Sequence, residues 1–494
     1  MGKRSFIILM KLLLWTSVTI VSILLIIGIL FSFPSIQTRV AQEAAHYLSK
    51  QMNTHVGIES LRISWDLDIQ IKNLVLEDQH GHNLIAAKYC ECDFPTYDKQ
   101  TKQLSIPRIH AEDAEVFLAN YKNENEINMR FFIDFVKPET PSDGKLRISL
   151  QNLSLKNGKF TFYNEAKLDE QLEGHWNYSN IVLDDIFVKM DELLIIRDSL
   201  NFEIRELSCK ERSGFNIRNF KGHLRLSNSG LYCLNTKFTT SHQSYIHVDF
   251  GFKYNDYSDF QDFINNIAFD CQLFPSSISF IDLVYFVPAF KGMNQTIKGE
   301  VKKLEGCLSD MNITAAKINS GTKNELLADV TLKGLPDIDN TLINASIINL
   351  DAKLADIEKF SLPGQQFIKL PDIAKKAETL QAKGSFSGYY HDFKSSMQIK
   401  TALGDIGCKD FHVKNQEGII YQGNFYISEL QTDKLINYKD VGKITAEGHI
   451  DGHGQDIQSA FVNISSIEYK NNVLSNIEIS GNFLQKLLSF SLVS

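Results

Sequence analysis

Cysteine, proline and blocks of like charge are what this chain is short of, and each shortage excludes a class of protein. The 7 cysteines in 494 residues are an odd number at spacings that fit no disulfide scaffold or zinc motif. Only 10 prolines occur against 33 phenylalanines, which excludes a disordered stalk. The net charge of −8 and pI of about 5.9 come from interspersed signs. No basic stripe exists for nucleic acid to follow. Nucleotide and hydrolase signatures are missing too: there is no P-loop, no G-x-G-x-x-G after a strand, no H-E-x-x-H and no G-x-S-x-G. The reading is therefore not an enzyme, with no catalytic residue, no metal ligand and no cofactor assigned.

Long apolar runs are absent with one exception. Leu12 to Phe33 carries no charge, and crossing a hydrocarbon core takes about 20 residues. Leu12, Trp15, Ile20, Leu25, Ile29 and Phe33 mark this run as a membrane anchor. Lys3, Arg4 and Lys11 precede it and keep residues 1–11 in the cytoplasm. The run exceeds a signal-peptide core, and no A-x-A-like cleavage site follows it. The expectation is an uncleaved signal anchor over 12–33.

Past the anchor, 34–52 reads as an amphipathic helix. Ser35 is placed to cap it, and Ile36, Val40, Ala44, Tyr47 and Leu48 share a face at helical spacing. That face has two uses, lying on the membrane or plugging the end of a sheet, and plugging is favoured.

From residue 53 to 494 the dominant period is two. Leu61, Ile63, Trp65, Leu67, Ile69 and Ile71 alternate, and Leu74 and Leu76 continue with the parity reversed. His80-Gly81-His82 marks a turn. Asn157-Gly158 is the preferred two-residue hairpin turn and predicts a hairpin over Leu153–Phe162. That register sets Leu153, Leu155, Phe160 and Phe162 on one face, with Ile148 in a strand just upstream. Ser154, Lys156, Lys159 and Thr161 take the other face. Cys90 and Cys92 also share a face. Short strands recur to the end, and helical spacing returns only around Phe260–Ile267, Ser276–Phe290 and Leu354–Lys376. The fold class is mainly β: an anchor helix, then many antiparallel strands with one apolar face and a few short helices. Alternation by itself leaves a sandwich, a barrel and a trough open.

Several stretches carry a family resemblance. Pro34-Ser35-Ile36-Gln37-Thr38-Arg39-Val40 after a signal anchor resembles the start of TamB proteins of the AsmA-like superfamily. So does Val56-Gly57-Ile58 followed by Leu74-Val75-Leu76-Glu77-Asp78-Gln79-His80-Gly81. Lys333-Gly334-Leu335-Pro336-Asp337 is similar to a recurring element of the TamB-like branch. Lys383-Gly384-Ser385-Phe386-Ser387-Gly388, with Asp392-Phe393 and Thr401-Ala402-Leu403-Gly404-Asp405, is similar to another. The resemblance implies a protein of the Gram-negative inner membrane whose elongated, curled antiparallel sheet forms a periplasmic β-trough that carries phospholipid toward the outer membrane. It also implies a part in outer-membrane protein assembly and secretion, with an Omp-eighty-five-family barrel, TamA-like, as partner. TamB chains run well over twice this length and end in a domain that meets the barrel. Against that pattern the expectation for these 494 residues is a fragment or a short relative without that domain, which leaves the barrel partner open.

The residues themselves fit lipid transfer. Exposing one acyl chain to water costs roughly 0.8 kcal/mol per methylene, on the order of 10 kcal/mol in all, which an apolar groove removes. The expected groove face is Ile148, Leu153, Leu155, Phe160 and Phe162, and the expected partners are phospholipid and membrane, not nucleic acid. The competing reading is an assembly scaffold whose strand edges receive client strands. His449 and His453, four apart, read as exposed turn histidines rather than metal ligands, and Asp184-Asp185 and Asp337 with Asp339 read as turn caps or solvated faces.

Overall fold

Alternating apolar and polar residues bury one face of a strand and wet the other, and strand accounts for 64% of the described residues. The computed structural model describes residues 16–19, 21–22, 28, 32–124, 126–136, 147–165, 174–196, 199–321, 324–362, 366–367, 369–370, 372–415, 418–454, 456–470, 472–484 and 487–493. Contacts divide the chain into unit 1, Met1–Lys221, and unit 2, Gly222–Ser494.

In unit 1 the strands are β1 (Val56–Ile63), β2 (Ile69–Glu77), β3 (Asn83–Cys92), β4 (Thr96–Asp98), β5 (Gln103–Asn120), β6 (Arg147–Asn164), β7 (Asn180–Ile196) and β8 (Ser199–Glu211). They pair in the order β1-β2-β3-β5-β6-β7-β8, with β4 on the edge of β5. Strand β9 (Asn216–Ser227) spans the division between the units.

In unit 2 the strands are β10 (Gly230–Thr240), β11 (Tyr245–Lys253), β12 (Ala268–Ser279), β13 (Thr296–Cys307), β14 (Asp310–Ser320), β15 (Asn324–Lys333) and β16 (Leu342–Lys353). Then come β17 (Ser361–Leu362), β18 (Gln366–Phe367), β19 (Thr379–Tyr389), β20 (Asp392–Thr401), β21 (Gly404–Asn415) and β22 (Ile419–Gln431). The last are β23 (Val441–His453), β24 (Asp456–Tyr469), β25 (Asn472–Leu474), β26 (Ile477–Leu484) and β27 (Leu487–Val493). Except for the small β17–β18 pair, these follow one another as an antiparallel meander.

Four sequence expectations are corrected here. First, there is no hairpin at Asn157-Gly158. Strand β6 runs unbroken from Arg147 to Asn164. A type I′ turn needs two residues with positive φ, and only Asn157, at φ 54°, has one. The chain therefore bulges and continues. Second, β5 and β6 run parallel, Gln103 beside Arg147 through Asn120 beside Asn164. A parallel pair requires a crossover of a dozen residues or more; this one contains the short helix Arg130–Val136.

Third, the Pro34–Met52 helix has Phe33 at its N-cap with no side-chain cap, so Ser35 does not cap it; Pro34 supplies the helix start instead. Fourth, the middle of this helix does not bury the expected face, although Ile36 and Leu48 at its two ends are half-buried. Gln37, Ala45 and Met52 are buried, whereas Val40, Ala44 and Tyr47 are exposed. The reason lies in the edge of β1, whose outward amides and carbonyls need partners. The Gln37 side chain both receives the Ile63 N–H (2.8 Å) and donates to the Ile63 carbonyl (3.3 Å). Thr38 does the same for Leu61, and Ser49 for Val56. Gln42 donates to the carbonyls of Ile58 and Glu59. Polar helix residues thus stand in for a missing strand.

The plugging role holds at the C-terminal end of the helix. Met52, Leu76 and Leu84 form a core with Leu48, Leu118, Met129, Phe131 and Phe132. No helix among the described residues is long and apolar enough to cross a membrane. Leu12, Trp15, Ile20, Leu25 and Ile29 of the anchor run lie outside the described residues, and Phe33 is exposed.

Candidate functional site

The apolar residues of unit 1 line up in rows that cross its strands. One row is Ile63, Ile69, Cys92, Ile109, Leu153, Met190 and Ile204, each the direct register partner of the next. A second is Leu61, Ile71, Cys90, Ala111, Leu155, Val188 and Leu207. A third is Val56, Leu76, Ile85, Val116, Phe160 and Leu183. Phe162 stands between Leu118 and Ile181, and Ile148 between Leu104 and Ile195.

Bulges keep these rows on one face. Asn73, Asp113, Asn157 and Asp185 all have left-handed backbone, with φ of 47°, 49°, 54° and 51°. They sit at matching heights on β2, β5, β6 and β7. An extra residue reverses side-chain parity. Leu74 and Leu76 therefore return to the side of Ile69 and Ile71, as Phe160 and Phe162 return to that of Leu153 and Leu155. Polar side chains tie the bulges together: Asn157 donates to Asp113, and Asn73 to Glu59. A Cβ at Gly158 would meet Leu155 Cδ2 at 2.5 Å, so a larger residue there has to displace the Leu155 side chain. Leu155 folds over the gap.

The reverse face is charged. Ser154 bonds the His110 ring (2.7 Å), Lys156 pairs with Glu112 (3.4 Å) and Lys189 with Glu206 (3.1 Å). Leu150, Val188 and Ile204 on the apolar side are buried, while Leu153, Leu155, Phe160 and Phe162 are only half-buried.

Unit 2 repeats the arrangement, and sequence reading missed it. Ile318, Leu326, Leu350, Ala382, Ile399, Ile406, Ile427, Ala446, Ile464 and Ile477 are successive register partners on ten strands. A neighbouring row alternates small and large, including Gly384, Met397, Cys408, Phe425, Gly448 and Val462. Bulges recur with one device: the backbone N–H of a left-handed residue is caught by an acceptor on the next strand. Ala315 donates to Asp329 (2.6 Å), Asp410 to Ser396 (2.9 Å) and Glu429 to Thr445 (3.1 Å). The signal was in the sequence as Asp, Ser or Thr facing a parity break, but it shows only once the strands are paired.

The remaining candidates resolve into structure. Cys90 and Cys92 share the apolar face, and burial pushes both thiols up, away from the reactive thiolate. His449 and His453 lie on β23, with His449 against Asn424 (2.8 Å). Asp337 holds the Asn340 amide in a turn. Asp185 is a bulge residue paired with Lys210 (2.8 Å). Asp78 is 2% exposed and accepts from Tyr121 (2.6 Å), Asn128 (2.9 Å) and the amides of His80 and His82 (2.9 Å each). Burial raises its carboxyl, but these bonds outweigh that, and the net direction is down.

The class of protein that this geometry defines is a β-sheet protein with rows of apolar side chains crossing the strands of each unit, backed in unit 1 by a charged face. No family model, curated protein or solved structure matches the chain.

Proposed function

We propose that this chain is a membrane-tethered lipid carrier of the cell envelope, a TamB-like member of the AsmA-like superfamily. Residues 12–33 hold it in the inner membrane with residues 1–11 in the cytoplasm, and the sheet in the periplasm leads phospholipid toward the outer membrane. One observation carries the reading. The apolar rows cross unit 1 from β1 to β8 without a polar break in the two longest, while the other face is ion-paired. Acyl chains lie along the rows, and the headgroup stays in water at the open side. No fixed polar site is needed, because the driving term is removal of methylenes from water.

The competing reading is a scaffold for outer-membrane protein assembly, receiving client strands at a sheet edge, with a TamA-like barrel as partner. Among the described residues, β27 pairs only with β26, which leaves an edge for that use. At β1 the edge is already taken by Gln37, Thr38, Gln42 and Ser49.

A photo-reactive side chain separates the two. Placed at Leu155 or Phe160 it is expected to cross-link phospholipid, and at Lys156 or Thr161 it is not. Equal adducts on both faces, or none on either, reject the carrier. Capture of protein strands along β27 then selects the scaffold.

A further inference from the structure

One end of the unit 1 strands presents large apolar side chains to solvent from an ordered backbone. The turn between β1 and β2 is closed by Ser64 N–H to the Asp68 carbonyl (2.9 Å) and Asp68 N–H to Ser64 Oγ (3.0 Å). Within it Trp65 is 91% exposed, and Leu67 is held outward at φ 69°, a conformation that L residues rarely adopt. Beside it, the chain leaving β3 exposes Phe94, and β4 exposes Tyr97; Asp93 N–H to the Arg108 carbonyl (3.0 Å) fixes this segment.

The Pro34–Met52 helix begins at the same end, since Gln37 bonds Ile63, the last residue of β1. The uncharged 12–33 run therefore delivers the chain to this end, where Phe33 is also exposed. The opposite end of the same strands is closed, with Leu84 and Ala119 fully buried.

Charge does not explain the exposed tips. Arg108 is taken up by Glu91 (3.1 Å), Asp93 (2.9 Å) and Asp68 (3.7 Å), Asp66 and Asp98 add acids, and Lys99 and Lys102 in the β4–β5 turn are exposed, so both signs are present. With the signs mixed, the exposed rings rather than net charge are what this surface offers an interface. Trp and Tyr partition to that zone of a bilayer because one edge of the ring is polar and the body is not.

We propose that this end of unit 1 is seated in the headgroup zone of the phospholipid bilayer that holds residues 12–33, with Trp65, Leu67, Phe94 and Tyr97 inserted. The inference rests on the tethered-carrier reading above. It adds the docking surface that sets the first apolar strand against the membrane, so that a lipid leaves the bilayer next to the rows.

The test uses the full chain reconstituted into vesicles of phosphatidylcholine and phosphatidylethanolamine, with a benzophenone side chain at position 65 or 97. Tyr178 is the control, an exposed aromatic in the β6–β7 connection at the closed end of the strands. Lipid adduct is expected to be several-fold greater at 65 and 97 than at 178. Flotation with the vesicles but equal or no adduct at the three positions overturns the docking surface. Adduct at Leu155 in the same preparation would then leave the carrier standing. Failure to float overturns both the tether and the docking surface. Adduct at 65 that appears only with anionic lipid and disappears in high salt also overturns it.

Discussion

The two ends of the unit 1 strands are built from similar residues and do opposite things. At one end Leu84 packs with Phe131 and Phe132 of the Arg130–Val136 helix and with Leu48 and Met52 of the Pro34–Met52 helix, and Ala119, Tyr121 and Asp78 are buried as well. At the other, Trp65 and Leu67 stand in solvent. The difference is a lid. The crossover that makes β5 and β6 parallel brings a short apolar helix over the first end, and nothing comparable covers the second among the described residues. Apolar character alone does not decide burial; the connection does.

The largest effect that would break this contrast is Leu84→Ala, expected to cost about 2–5 kcal/mol because the closed end cannot collapse onto the cavity. Trp65→Ala is expected to stay within about 0.5 kcal/mol, since no packed neighbour is lost. Denaturant midpoints of the two variants measure the contrast directly, and equal losses would mean that the open end carries structure.

Next comes Asp78. Asp78→Asn leaves donors of Tyr121, Asn128 and two amides competing for a neutral acceptor, at a cost of about 1–3 kcal/mol. The sign of the pH dependence follows from its lowered pKa. The folded protein binds this proton less readily than the unfolded chain, so the contribution is present above the ordinary carboxylate range and is lost as pH falls through the depressed value. The wild type should therefore lose more stability than Asp78→Asn when acidified below the ordinary carboxylate range, as urea titrations at several pH values would show.

The smallest effect lies midway between the two ends, at the bulge. Asn157→Val forces a branched side chain into left-handed backbone, at about 1–2 kcal/mol. The same change at Lys159, in ordinary strand geometry, should be near neutral. Thermal melts of the pair show whether the bulge is a held feature or a tolerated defect.

Some of this molecule was settled by local chemistry alone. Alternation at Leu153–Leu155 and Phe160–Phe162 marked strand and set these residues apart from Ser154 and Lys156, because side-chain parity is a local property of extended chain. Mainly β class followed from the same period, the His80-Gly81-His82 turn from its glycine, and the few short helices from local returns of helical spacing. Three outcomes needed the tertiary structure. Asn157-Gly158 can turn or bulge, and the choice fell to β5 and β7, which offer bulges of their own at the same height through Asp113 and Asp185. The Pro34–Met52 helix has an apolar stripe and a polar one. The open edge of β1 claimed the polar stripe, since unpaired backbone groups cost more than an exposed Val40 or Tyr47. The parallel β5–β6 pair joins residues 44 apart at each step, Gln103 with Arg147 and Phe117 with Thr161. No local pattern reports a contact at that separation, because it is decided by which apolar face is left to cover once the chain has crossed over.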